Sequence, residues 1–555
     1  MKRALFLTLI VLAITVPGIT TLPPIDRDES RYVQASKQMV ESGDYIDIRF
    51  QDEARYKKPI GIYWLQATAV KTIFGGAQAP IWVYRLVSIS GAVAATLAVF
   101  WTGTRLFGRT AGLAAGLVLS AILGVAFEAR IAKTDAMLLA FSIVAQGALA
   151  QIYVAARNSS PVRPALSWLF WIALGFGILI KGPITPLLSA LTVATLCFLD
   201  KDRRWLRELR SARGLVIAML ITMPWLVAIS SKSGGAFWHE SVGNDLLGKV
   251  VSGQESHGAP PGYYILTYAL YVWPFGPLML AAGIAALKHL RSDPRLLFLF
   301  SWYVPFWLFF ELLPTKLPHY VLPVYPALAL VAGWAVAETA SISSVPTRRW
   351  ETWLYWLSVA GAAVVSIGLS ALAVAGPLYL GGGVQPAGIV VAVAVFAAAY
   401  FALPGREGAD LRRMGSAVVA AGIAYGLLFT MVVPSLETIW LTPRIAAAVK
   451  VNKPCTNSRL ASAGYHEPSL VFLVGTKTLL TDVEGAADHL LSDPVCALAL
   501  VPASEAARLA ERASAGGKSI VPVALIEGVN YSKGKRLSLR LFRIEDRSGV
   551  RKTPG

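Results

Sequence analysis

Two stretches of this chain mix acids, cations and aromatics densely enough to do chemistry. The first, residues 23–80, holds Asp26-Arg27-Asp28-Glu29-Ser30-Arg31-Tyr32, then Asp44, Asp47 and Asp52-Glu53, then Arg55-Tyr56-Lys57-Lys58-Pro59. The second, residues 231–262, holds His239-Glu240, Asn244-Asp245, Lys249, Glu255 and His257, and ends on Pro260-Pro261-Gly262 before Tyr263-Tyr264. Shorter clusters are Arg130 with Lys133 and Asp135, then Lys181-Gly182-Pro183, then Lys316-Leu317-Pro318-His319-Tyr320. A carboxylate can orient or deprotonate an acceptor, and cations beside it can hold a phosphate and stabilise a negative leaving group. Such a gathering suits transfer chemistry on a lipid-linked, phosphate-bearing substrate. For Lys133, Lys181 and Lys316 the competing reading is snorkelling to a membrane surface on a long aliphatic stem. Asp135 has too short a stem for that, so it is expected to face an internal site or to pair with a buried cation. The six histidines are dispersed, and His239 and His257 share a loop without a ligand spacing. No metal site is therefore assigned; the sequence calls for no cofactor, and it neither requires nor forbids a divalent metal.

The elements that must position these clusters are membrane helices. The 555 residues are 55% hydrophobic and only 15% charged, with a mean hydropathy of +0.56, against roughly 45–50% apolar and 25% charged in a soluble domain. A net charge of +18 would suit nucleic acid only if the basic residues clustered on a soluble face or arm; here they are scattered between apolar runs, so nucleic acid is excluded as a partner. About thirteen runs approach the roughly 20 apolar residues of a spanning helix: 4–22, 81–104, 111–127, 136–154, 166–180, 184–199, 215–230, 263–287, 296–312, 320–340, 353–375, 388–403 and 415–433. Residues 60–74 read as an interfacial or re-entrant helix. Met1-Lys2-Arg3 and the run after it resemble a signal peptide, but Pro23-Pro24-Ile25-Asp26 offers no small-x-small cleavage site, so the run reads as an uncleaved first span.

Alternate loops are rich in Lys and Arg, among them Arg105/Arg109, Arg157/Arg163, Lys201 to Arg213, Lys288/Arg291/Arg295, Arg348/Arg349 and Arg406/Arg412/Arg413. By the positive-inside rule these loops and the N-terminus are cytoplasmic. The acid-rich loops 23–80 and 231–262 then lie outside, with the tail 434–555. The tail reads as a small α/β domain, with strands at 459–463, 469–474 and 496–502 and helices at 485–491 and 505–513. Its Cys455 and Cys496 are either bridged or two buried thiols.

Several blocks resemble one family. Asp28-Glu29-Ser30-Arg31-Tyr32, then Gly43-Asp44-Tyr45, then Lys58-Pro59 with Tyr63-Trp64-Leu65, resembles the first periplasmic loop of the ArnT-like, protein-mannosyltransferase-related GT-C glycosyltransferases. Ala132-Lys133-Thr134-Asp135-Ala136-Met137-Leu138 is similar to the family's second acidic motif and Leu179-Ile180-Lys181-Gly182-Pro183 to its Lys-Gly-Pro turn. Thr315 to Pro326 and Tyr465-His466-Glu467-Pro468-Ser469-Leu470 are similar to later blocks. The resemblance implies a mainly α, polytopic bacterial inner-membrane protein of about 13 helices (residues 1–433) with a periplasmic α/β domain (434–555). It implies an inverting transfer of a monosaccharide from a polyprenyl (undecaprenyl) phosphate to a lipid acceptor such as lipid A. Asp28 and Asp135 would be the catalytic carboxylates. Lys58, Lys181 and Lys316 are candidates for the donor phosphate, with Glu29, Arg31, Tyr32, His257, His319 and Tyr320 completing the substrate-binding set. Arg31 has an alternative role as an ion-pair partner of Asp28 or Glu29. One block departs: members closest to the aminoarabinose enzymes read Glu-Lys-Pro where this chain has Lys57-Lys58-Pro59, which removes a partner for an amino sugar and favours an anionic or neutral one.

Two other classes compete. A polytopic lipid or sugar transporter commonly shows repeated halves with broken helices at matching positions, and no such repeat is visible. A protein O-mannosyltransferase would share the first loop and the donor type, but the tail does not resemble the lectin-like domain of those enzymes.

Overall fold

The computed structural model describes residues 1–248, 258–338, 348–405 and 410–545. Each of the thirteen apolar runs is helical over most of its described length. Among the described residues eight helices are long and apolar enough to cross a membrane, and the bent pair Tyr263–Tyr271 and Gly276–Leu287, angled at 118°, makes a ninth if counted as one span. Arg109–Ala121, Ile184–Leu199 and Pro386–Ala402 are apolar but shorter. The chain is a multi-pass membrane protein.

Where the helices break, the freed backbone groups find protein partners, as they must at membrane depth. Arg109–Ala121 stops at Ile122, which is extended, and Leu123 restarts the helix by donating its N–H to the Trp273 carbonyl at 2.8 Å. Trp273 lies in the bend of the Tyr263–Leu287 pair, so two broken helices complete each other. The Lys2–Thr15 helix is buried along Leu7, Val11 and Ile14. The Arg130 guanidinium ties down its end through the carbonyls of Ile14 and Pro17.

Residues 23–80 are largely ordered by helices rather than forming an open loop. Asp28–Ser42 starts with two acids in its first turn, where the helix dipole favours negative charge, and ends on Gly43 in the left-handed conformation. Gly61–Ala69 continues through a π-turn to Phe74, so the run at 60–74 is helical as expected. Its first residue lies so close to the end of the Pro164–Lys181 helix that a Cβ there would meet the Leu179 carbonyl at 2.7 Å. That approach sets the helix following Lys58-Pro59 against the end of the helix that carries Lys181, and all three residues line one cavity.

The tail forms a five-stranded sheet in the order Leu479–Thr481, Leu460–Ala463, Leu498–Pro502, Lys535–Ile544, Ile520–Asn530, parallel among the first three strands and antiparallel beyond. Strands at 459–463 and 496–502 and helices at 485–491 and 505–513 match the expectation. The strand expected at 469–474 does not form: Pro468–Val474 is a helix. Its apolar run has the composition of a strand, but Pro468 suits a first helical turn, and Phe472 packs edge-on against Tyr84 of the membrane helix Ile81–Phe107. Cys455 and Cys496 are bridged, with Cα atoms 5.3 Å apart.

This unit grips the first loop. Tyr531 Oη accepts the Asp26 N–H at 2.7 Å, Asp26 Oδ1 accepts the Ser469 N–H at 2.9 Å, and Gln34 donates to Thr476 Oγ1 at 2.9 Å. Gln51 reaches the carbonyls of Thr476 and Thr478 at 2.9 and 2.6 Å. The helix that begins at Asp28 is thereby fixed from above as well as from the membrane side.

Candidate active site

Asp28 projects into a cavity of about 540 Å³ bounded by its own helix, the segment 55–59, the turn 133–135, the Lys181-Gly182-Pro183 turn, residues 237–245 and the segment 315–320. Its side chain is exposed to the cavity. It makes no hydrogen bond or ion pair with any described residue. Burial works against its ionisation, but the charges of Lys133, His319, Arg55 and Arg31 outweigh that and hold the carboxyl below its ordinary range. Asp26, two residues earlier, behaves oppositely: burial against the tail pushes it up to about 6. Adjacent acids of one loop are thus set apart by what packs on them.

Asp135 is the first residue of the helix Asp135–Arg157 and anchors a cluster of basic side chains. Lys181 Nζ lies 2.6 Å from its carboxylate, Lys133 Nζ 3.4 Å and His319 Nε2 3.8 Å. Lys133 also meets Glu128 at 3.0 Å. These groups are nearly all shielded from bulk water, so the expected pairing of Asp135 with a buried cation holds, and it also lines the cavity. Lys181 sits over the Tyr320 ring at 5.6 Å, and His319 packs edge-on to Tyr320. On the far side Lys58 pairs with Asp245 at 2.6 Å, a contact that ties the second outer loop to the first. Arg55 lies over Tyr32 at 5.2 Å, and Tyr32 packs on Tyr63 at 5.5 Å. The cavity's other flank is apolar, formed by Ile178, Ile184, Leu187, Phe309, Phe310 and Leu313 of membrane helices and their ends.

Of the expected site residues, Asp28, Asp135, Arg31, Tyr32, Lys58, Lys181, His319 and Tyr320 all line this one cavity. Two do not. Glu29 points the other way, into a buried ion pair with Arg85 at 2.8 Å, and also accepts the N–H groups of Ala132 and Ile25. One step along a helix rotates a side chain by about 100°, enough to carry Glu29 from cavity to core. Lys316 is turned from the cavity, its ammonium donating to the carbonyls of Ala259 and Leu313. His257 lies outside the described residues. Arg31 makes no ion pair with Asp28 or Glu29 among the described residues. The sequence reading gave Arg55, Lys57 and Asp245 no role in the site and weighed Lys133 only as one of three cations that could face it, and all four line the cavity. Arg85 and Glu128, buried supports, had a signal in being ionisable residues within or ending apolar runs. Among the described residues no three His, Cys, Asp or Glu side chains group so as to hold a metal ion.

Membrane helices and the outer segments 23–80 and 236–248 meet around one charged cavity, and the small α/β unit holds the first of these segments through Asp26 and Gln34. Residues 2–237 match the model of the dolichyl-phosphate-mannose-protein mannosyltransferase family. An undecaprenyl phosphate-α-4-amino-4-deoxy-L-arabinose arabinosyl transferase of Pectobacterium atrosepticum is 27% identical over 347 residues, 62% of this chain and 61% of that protein. One of Pseudomonas paraeruginosa is 28% identical over 367 residues, 64% and 61% of the two chains. The match thus spans about 61% of the length of these curated relatives. The crystal structure of ArnT from Cupriavidus metallidurans bound to undecaprenyl phosphate superposes with a TM-score of 0.74 at 20% identity over 97% of both chains, a likeness of fold. The chain is thus similar in part of its sequence to these transferases and in fold to ArnT.

Proposed function

We propose that this chain is an inverting glycosyltransferase that moves a monosaccharide from a polyprenyl phosphate to a lipid acceptor such as lipid A. The observation that carries the reading is Asp28: an acid without an ion-pair partner among the described residues, ringed by cations, in a cavity whose other flank is apolar. The apolar flank suits a polyprenyl chain entering from the bilayer. Lys58 and Lys181 face the donor phosphate, each already held in place by a carboxylate.

The acceptor oxygen attacks the anomeric carbon, the bond from that carbon to the phosphate oxygen breaks, and the electron pair leaves with the polyprenyl phosphate. Cations fixed before the reaction stabilise the charge developing there. An acceptor hydroxyl gives its proton to Asp28, whose depressed pKa keeps it ionised and ready to receive it. An acceptor phosphate is already anionic, and Asp28 then orients it and stabilises positive charge on the sugar. Asp135 acts through Lys181 and Lys133 as a positioning group. Arg31, Tyr32, His319 and Tyr320 shape the pocket.

The catalytic unit is residues 1–433 and the soluble domain 434–555. We place the protein in the bacterial inner membrane with the N-terminus in the cytoplasm and the cavity and tail in the periplasm. The alternation of basic loops supports this orientation, and so does the Cys455–Cys496 bridge, which persists in an oxidising compartment. A second reading, transfer to a protein hydroxyl, is favoured by the family match over residues 2–237. Mass spectrometry of envelope lipids from cells with and without the gene, with an Asp28→Asn control, decides. One sugar mass missing from a lipid in both deletion and control is the expected result. Unchanged lipids with a glycoprotein change would transfer support to the second reading, and no change in either would sink both.

A further inference from the structure

Among the described residues that line the cavity, none lies beyond Tyr320, so the soluble tail supplies no wall of it. The tail holds instead the helix that carries Asp28. Asp28, Arg31 and Tyr32, spaced as i, i+3 and i+4, make the cavity face of Asp28–Ser42. Gln34, Lys37 and Glu41, spaced as i, i+3 and i+7, make a second face, and all three bond to the tail. Gln34 donates to Thr476 Oγ1 at 2.9 Å, Lys37 Nζ donates to the Phe472 carbonyl at 3.3 Å, and Glu41 accepts the Thr476 hydroxyl at 2.7 Å.

A second grip falls just before the helix. Asp26 Oδ1 accepts the Ser469 N–H, the Asp26 N–H goes to Tyr531 Oη, and the Arg27 guanidinium donates to the Ser532 carbonyl at 2.8 Å. Ser469 is itself fixed inside the tail: its hydroxyl meets Thr442 Oγ1, which also meets Tyr465 Oη, both at 2.6 Å. The block Tyr465 to Leu470 thereby has a role that the cavity does not give it. Asp28 has no hydrogen bond or ion pair of its own among the described residues, so its place is set by its neighbours along the chain. Asp26 and Arg27 are held by the tail, and Glu29 is held by Arg85. A misplacement of about 1 Å at a reacting group can cost about 10²-fold in rate.

We propose that Asp26 is a positioning residue through which the docked tail sets the place of Asp28 and so the rate of transfer; this rests on the glycosyltransferase reading above. The contact also has a pH signature. Facing Asp26 are Glu467, Tyr465 and Tyr531 of the tail and Arg31 of its own helix. Burial, with Glu467 adding to it, pushes the Asp26 carboxyl up to about 6. A raised value means that docking is fully favoured below the ordinary carboxylate range and weakens as pH rises through about 6. Between pH 5 and 7.5 the opening equilibrium of the contact should rise about tenfold.

The test is hydrogen exchange of the full-length protein in nanodiscs, read beside the initial rate at which a sugar mass appears on envelope lipids of cells making each variant in equal amount. In Asp26→Ala the amides of Asp28–Ser42 and Pro468–Val474 should lose protection while the strands Leu460–Ala463 and Leu498–Pro502 keep theirs. Transfer should fall at least about tenfold, and binding of undecaprenyl phosphate, followed by native mass spectrometry, should stay within about twofold. Asp26→Asn keeps an acceptor for the Ser469 N–H without the charge, so it should restore transfer and abolish the pH dependence of protection. Tyr531→Phe loosens the contact from the tail's side and should move exchange and transfer in the same direction by less. Wild-type transfer in Asp26→Ala with the helix released overturns the proposal and leaves the transferase reading standing. Equal losses in Asp26→Ala and Asp26→Asn also overturn it, because the charge of Asp26 rather than the docked tail would then matter. If Asp26→Ala loses strand protection as well, Asp26→Asn and Tyr531→Phe decide in its place. No sugar mass from the wild type sinks the transferase reading instead, and exchange in Asp28–Ser42 then still decides whether Asp26 holds that helix.

Discussion

The two ends of the helix Asp135–Arg157 open onto cavities of similar size and opposite logic. At its first residue is the site cavity of about 540 Å³; near its last is a pocket of about 570 Å³ lined by Arg105, His289, Asp293, Arg295 and Glu338 among others. In the far pocket the main ion pair is local: Asp293 and Arg295, two residues apart, meet at 2.6 Å, and Asp293 also caps its own helix by accepting the Arg295 N–H. Arg295 is further spent on the Leu106 carbonyl and the Phe107 ring. At the site end the pairs join distant parts of the chain, Lys58 to Asp245 and Lys181 to Asp135, and Asp28 is left without one among the described residues. A local pair needs only the helix end on which it sits. A set of long-range pairs that leaves one acid over needs the whole fold, and that surplus is what a reaction can use.

The largest test of this contrast is Asp28→Asn. Transfer should fall by about 10²–10⁴-fold, the range for losing a positioned acid or base, with insertion and thermal unfolding unchanged. Half or more of wild-type turnover would remove Asp28 from the chemistry. Its neighbour should fail in the opposite way. Glu29→Gln leaves Arg85 buried without its counter-charge, which costs about 3–5 kcal/mol; a lowered unfolding temperature in detergent is the expected readout, and wild-type stability would show that the pair is dispensable.

Opening the Cys455–Cys496 bridge with a double Ser substitution frees a loop 41 residues long and should cost the tail about 2–4 kcal/mol. Protease sensitivity confined to residues beyond 434 would register it. pH offers a smaller effect. Because the Asp28 pKa is depressed, its charged form persists below the ordinary carboxylate value and is lost only as pH falls through the depressed one. Turnover should then vary less than about twofold between pH 8 and 5 from this group; an acid limb near pH 6 that disappears in Asp28→Asn would contradict it. Smallest of all, Asp293→Asn at the far pocket should change stability by under about 1 kcal/mol and leave turnover alone.

The sequence carried the fold further than the site. Thirteen apolar runs, read by length alone, coincide with helices, and the alternation of basic loops gave them an order. The errors have local causes. Residues 469–474 have a strand's composition but are held as a helix by Pro468 and by packing on Tyr84, which no window of the tail contains. The strands Ile520–Asn530 and Lys535–Ile544 went unread although Leu537, Leu539 and Leu541 alternate with Ser538 and Arg540 in the second of them, which is a strand signal. In the site, the motif blocks brought the right neighbourhoods but not the directions of side chains: Glu29 and Lys316 sit in those blocks and face away.

What the amino-acid order determined by itself is that this chain crosses a membrane many times, because apolar length acts through the bilayer before any tertiary contact forms. Which acid is left over was decided only when helices from across the chain packed. Asp28 and Glu29 are chemically near-equivalent neighbours; one is consumed by Arg85 in the core and the other is surrounded by cations in a cavity. The difference comes from a rotation of one residue along a helix and from what the rest of the molecule places on each side of it.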